Sequence, residues 1–95
     1  MPNVRRLVVD LMKPYEPDVV EFARELATLD GVAGVNAAVV ENDQEVQTVK
    51  VTAEGDDVDP DALADVVGDL GGSVHSVDEV VCGDRLVEER RTPQD

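Results

Sequence analysis

The chain has 95 residues, of which 42% are hydrophobic, so it has room for one domain and one core of modest expected stability. Its 22 Asp and Glu against 8 Lys and Arg give a net charge of −14, which argues against capture of nucleic acid phosphate or anionic lipid. Phe22 and Tyr15 are the only aromatics, which leaves no base-stacking platform.

From Arg5 to Met12 the side chains alternate. Leu7, Val9 and Leu11 share one face, with Arg6, Val8, Asp10 and Met12 on the other, and the spacing predicts a strand. The short apolar run after Arg5-Arg6 loosely imitates a signal peptide, but Asp10 cuts it, and no segment is long enough to span a bilayer. Lys13-Pro14-Tyr15-Glu16-Pro17 punctuates the chain, and Pro17 suits the first turn of a helix carrying Val19, Phe22, Ala23, Leu26 and Leu29 until Asp30-Gly31. Val35 to Asn42 and Val46 to Glu54 read as a hairpin joined by polar residues. Asp59-Pro60 opens a second helix with Leu63, Val66, Val67 and Leu70, stopped by Gly71-Gly72. Val74 to Cys82 is the last strand, and its pattern slips near Val77-Asp78-Glu79-Val80, which signals a β-bulge or bend.

The order βαββαβ predicts an α+β, ferredoxin-like sandwich. Four antiparallel strands in the order 4-1-3-2 form its sheet, and two helices cover one face. A single domain spans 1–95, with its core over about 4–83 and residues 84–95 forming a charged C-terminal arm. The opposite sheet face is left open, where Val8, Met12, Ala38 and Val40 would form an exposed apolar stripe that invites a partner.

Candidate chemistry centres on that open face. Asp10 near the end of the first strand and His75 near the start of the fourth are expected to be neighbours, with Thr48 and Lys50 entering from the third. A carboxylate beside imidazole can orient the ring for a ligand or a metal. Asp78-Glu79 adds oxygen donors of the kind Ca²⁺ or Mg²⁺ prefers. The Asp-rich run from Asp56 to Asp61 lacks the spacing of a calcium loop, and Asp59 is better used as a helix cap. No phosphate-binding glycine motif or zinc motif occurs. Cys82 is the single cysteine, so no intrachain disulfide can form, and a reducing cytoplasm is the expected setting.

Five segments resemble, together, a small archaeal family catalogued as domain of unknown function 211. They are Val8 to Pro17, Gly31 to Asn36, Val49 to Thr52, Gly71 to Val81 and Thr92 to Asp95. The resemblance implies a ferredoxin-like fold and assembly of identical subunits, and it carries no activity. The family's polar positions fall on Asp10, Glu16, His75, Asp78 and Glu79, a ligand set for a divalent cation if one binds. Tyr15 stands where the family pattern has His, which removes a ligand near Asp10 and Glu16, and Cys82 stands where it has Ala. The acidity suggests a halophilic member, because molar salt screens the self-repulsion of such a surface.

The leading expectation is a non-enzymatic, homo-oligomeric module. It would bind a small ligand at Asp10, Lys50 and His75, or a divalent cation at the five family positions, in a regulatory role. Neither nucleic acid nor membrane is expected as a partner. Two alternatives stay open: a small enzyme using Asp10 and His75 as an acid-base pair, and a purely structural assembly protein.

Overall fold

The computed structural model describes residues 1–88, so the terminal segment 89–95, with Thr92 to Asp95, lies outside the described residues. Six elements follow one another: β1 (Val4–Pro14), α1 (Val19–Ala27), β2 (Gly34–Asn42), β3 (Val46–Glu54), α2 (Pro60–Asp69) and β4 (Ser73–Cys82). The four strands pair antiparallel in the order β2-β3-β1-β4, which from the other edge reads 4-1-3-2. No helix among the described residues is long and apolar enough to cross a membrane.

Strand alternation decides which side chains reach the core. Leu7, Val9 and Leu11 of β1 lie opposite Ala53, Val51 and Val49 of β3, and all six are buried against Phe22, Leu26, Leu63 and Val67 of the helices. Each large apolar side chain fully buried in this way contributes about 1.5–3 kcal/mol relative to exposure. The helices therefore cover one face, and the even-numbered residues of β1 and β3 occupy the other.

The helix termini follow local chemistry. Asp18 has extended backbone and its carboxylate accepts from the Glu21 N–H at 2.9 Å, so Pro17 precedes the cap instead of filling the first turn. The helix also ends earlier than Asp30-Gly31, because the Thr28 N–H and hydroxyl both donate to the Glu25 carbonyl and close the last turn. In α2 the Asp59 carboxylate accepts from the Asp61 and Ala62 N–H groups at 2.9 and 3.2 Å, ahead of Pro60 in the first turn. Gly55 packs so closely on the Gly31 backbone that a Cβ there would collide with the Gly31 carbonyl, which locks the turn after β3 against the one after α1.

β1 runs two residues into the expected punctuation, to Pro14. Lys13 belongs to the strand, on its helix-covered face, and is 0% exposed. Its Nζ donates to the Pro14 carbonyl at 2.7 Å and to Gln47 Oε1 at 2.9 Å, and stands 5.8 Å from the Phe22 ring centre. The long methylene stem fills the end of the core while the ammonium finds two oxygens and a π face.

The irregularity expected in β4 is present. Val8 lies opposite Glu79 and Val9 opposite Val77, which leaves Asp78 as an extra residue. A second shift between Asp10 and Leu11 leaves His75 extra in the same way. Two bulges in one edge strand disturb its outward ladder and re-aim its side chains.

Candidate functional site

The open face of the sheet is a grid set by strand register. One row runs Ala38, Lys50, Asp10, Ser76 across β2, β3, β1 and β4, and the next toward the β1 N-terminus runs Asn36, Thr52, Val8, Glu79. On the other side Met12 lies between Thr48 and Ser73. The expected apolar stripe is therefore interrupted: Lys50 and Thr52 of β3 separate Val8 and Met12 from Ala38, and a register shift in β2 leaves Val40 as an extra residue and sets Glu41, not Val40, opposite Thr48. Met12 is 38% exposed and Val40 is 63% exposed, so the apolar members are open to contact within a mixed surface.

Asp10 and Lys50 stand directly opposite one another, as alternation required. Among the described residues no ion pair joins them. His75 does not lie across from Asp10, because its bulge shifts the register by one and places Ser76 there instead. The Ser76 hydroxyl donates to the Asp78 carboxylate at 2.9 Å, so it is Asp78, turned by its own bulge, that is drawn toward the Asp10 row.

The remaining members of the expected ligand set lie elsewhere. Glu16 sits in the loop after β1, beside the cis Glu16–Pro17 peptide, where its charge and that of Asp18 act on Lys13. Burial pushes the Lys13 ammonium below its ordinary 10.5, and those two carboxylates oppose the shift. Glu79 lies 3.7 Å from the Arg6 guanidinium. Asp10, Glu16, His75, Asp78 and Glu79 are thus distributed over separate environments, and among the described residues no three His, Cys, Asp or Glu side chains gather as a metal site. Cys82 is free and exposed at the end of β4.

The densest charge cluster surrounds Arg6. Its Nε meets Glu54 Oε2 at 2.6 Å, and its two terminal nitrogens hold both oxygens of Glu88 at 2.8 and 2.9 Å. These charge-assisted bonds raise the Arg6 pKa further, the Glu88 bond most strongly, and the same bond holds the Glu88 carboxyl below its ordinary 4.5. Arg5 binds next to it, donating to the carbonyls of Gly55, Gly83 and Asp84. The arginine pair thus ties the first residues of the C-terminal arm to the sheet. Sequence reasoning missed this cluster because Arg6 and Glu88 are 82 positions apart. One partner was within reach: Glu54 lies on the open face of β3, and the β1–β3 register places it opposite Arg6.

Chemically, the open face offers acceptors at Asp10 and Asp78, a cation at Lys50, hydroxyls at Thr48, Thr52 and Ser76, and apolar contact at Val8 and Met12. That mixture suits recognition of another surface or of a small charged group.

Comparison with known proteins agrees with the resemblance in the sequence. A family model described as uncharacterised ArCR, domain of unknown function 211, matches residues 5–95. An uncharacterised protein of Methanocaldococcus jannaschii is 46% identical over 95 residues, covering 100% of this chain and 98% of that protein. The chain belongs to the archaeal domain-of-unknown-function family 211.

Proposed function

We propose that this protein is a non-enzymatic, homo-oligomeric module whose open sheet face binds a second subunit and, at the Asp10 row, a small ligand or divalent cation in a regulatory role. The observation that carries this reading is the uncovered face itself. Both helices pack on the opposite side, and Met12 and Ala38 are exposed around the facing pair Asp10 and Lys50. Apolar residues ringed by hydroxyls and one charged pair have the composition of a protein interface.

The cation part rests on the Asp78 bulge, which brings a second carboxylate toward the row of Asp10. One subunit contributes two carboxylates there, and a neighbouring subunit completes the oxygen set that a hard cation needs. The net charge of −14 fits a salt-loaded, halophilic cytoplasm, where a Debye length of about 3 Å allows such surfaces to meet.

Calorimetric titration with Ca²⁺, Mg²⁺, Mn²⁺ and Zn²⁺ in molar KCl tests the binding, with light scattering on the same samples. A saturable heat that disappears in Asp10→Asn, on particles heavier than a monomer, is expected. Heat that survives Asp10→Asn removes the Asp10 site. An oligomer that binds none of the four ions points to the purely structural reading instead.

A further inference from the structure

The arm that follows β4 is fastened to the rest of the chain at its two ends. At the first, Gly83 turns the backbone at a φ of 101°, and its N–H donates to the Asn3 carbonyl at 2.9 Å. Arg5 holds the Gly83 and Asp84 carbonyls beside it. At the second, Glu88 lies across the Arg6 fork. Between these points no hydrogen bond joins Arg85, Leu86 or Val87 to another described residue, and Leu86 and Val87 are 48% and 66% exposed.

What Glu88 occupies is built like a receptor. The Arg6 Nε is committed to Glu54 within the sheet, which leaves the edge carrying both terminal nitrogens, the geometry that grips a carboxylate through two parallel bonds. The Arg6 side chain is 15% exposed. Val81 stands opposite it in β4 and so shares its face. Val81 is 5% exposed, although it belongs to no part of the core that the helices cover. It lines a cavity of about 390 Å³ together with Glu79, Val80, Val87 and Glu88.

A planar cation beside an apolar wall suits an anion with a short hydrocarbon tail. The arm supplies that chemistry from within the chain, as the Glu88 carboxylate next to the Val87 isopropyl group. Glu54 and Glu79 flank the fork, so a ligand with a second negative charge is repelled and a single carboxylate is selected. We propose that Arg6 and Val81 form a binding site for an aliphatic monocarboxylate, separate from the Asp10 row, and that Leu86 to Glu88 is a strap that fills this site from within the chain. The strap lifts about Gly83 and Asp84, and the free ligand takes the place of Glu88. Apparent affinity is reduced by the fraction of time for which the strap is open, so the Arg6–Glu88 contact sets the ligand concentration at which the site responds.

The test titrates hexanoate, acetate and hexanamide into the full chain and follows the NMR shifts of the Val81 methyls and the Arg6 Nε–H. Glu88→Ala empties the fork, and hexanoate is expected to saturate it at a concentration at least about tenfold below that needed for the parent. In Glu88→Ala, acetate is expected to bind more weakly for want of the tail, and hexanamide for want of the charge. Adding Arg6→Lys to Glu88→Ala keeps the charge and removes the fork, and is expected to cost at least about tenfold in hexanoate affinity. Circular dichroism with cooperative thermal unfolding confirms that each variant is folded. Equal hexanoate affinity in the parent and Glu88→Ala overturns the strap. Absence of a saturable hexanoate shift in Glu88→Ala, or hexanamide binding as tightly as hexanoate, overturns the site itself.

Discussion

Lys13 is the residue whose burial most strongly tests the packing described above. Lys13→Ala removes three methylenes of a stem that fills the end of the core beside Phe22, a transfer loss of about 2.4 kcal/mol at 0.8 kcal/mol per methylene. It also leaves the Pro14 carbonyl and Gln47 Oε1 without their donor, a loss offset by the desolvation of the ammonium no longer needed, so the total stays at about 2 kcal/mol. Lys13→Met keeps the stem volume and removes the ammonium, so the lost hydrogen bonds are offset by the desolvation no longer needed. That variant is expected within about 1 kcal/mol of the parent at neutral pH.

The pH dependence has a definite sign. Burial lowers the Lys13 pKa from 10.5, so between the folded value and 10.5 the unfolded chain binds more protons than the folded one. The parent therefore gains stability relative to Lys13→Met as pH rises through that window, and loses it as pH falls. Urea unfolding in molar KCl, followed by far-ultraviolet circular dichroism because the chain has no Trp, measures all three proteins. If Lys13→Met is as destabilised as Lys13→Ala, or if its difference from the parent does not move between neutral and alkaline pH, the buried-ammonium argument fails.

Other consequences follow from particular contacts. Asp18→Ala and Asp59→Ala each remove a helix cap and are expected to cost about 1 kcal/mol, read as a drop of about 4–8 °C in the thermal midpoint; no change in either would show that its cap bonds are not formed in solution. By carbon NMR, Glu88 is expected to titrate below its ordinary 4.5 and to return toward it in Arg6→Met. Because the folded pKa is depressed, the stability from that contact is lost as pH falls through the folded value. Gly55→Ala forces a collision with the Gly31 carbonyl and is expected to lower the thermal midpoint, whereas Gly34→Ala, with open space around it, is expected to leave it within a few degrees, as for ordinary surface changes of about 0.5 kcal/mol. The thermal midpoint of the parent is expected to rise from low salt to molar KCl as repulsion is screened.

Much of the fold could be read from local chemistry. Leu7, Val9 and Leu11 alternate, Asp59-Pro60 starts a helix, and the slip around Asp78 marks the bulge. These signals act over a few residues, so they are visible in the chain itself. What stayed hidden depends on contacts between distant segments. Pro14 reads as punctuation, yet β1 continues through it because its partner there is the start of β3 at Val46. His75 was expected across from Asp10, but a second bulge inserts one residue, and a one-residue slip exchanges which side chain meets which. The Arg6 cluster needs the C-terminal arm to fold back, and no periodicity in the sequence encodes that return. Face assignment was legible; cross-strand partnership was legible only where the strand had no bulge.

Self-association of the folded chain is the claim on which the functional reading stands. Sedimentation equilibrium in molar KCl, from about micromolar to about millimolar protein, measures it directly. A mass of at least twice the 10.2 kDa chain, reached at the low end of that range, is the expected result, and a 10.2 kDa monomer throughout would contradict it.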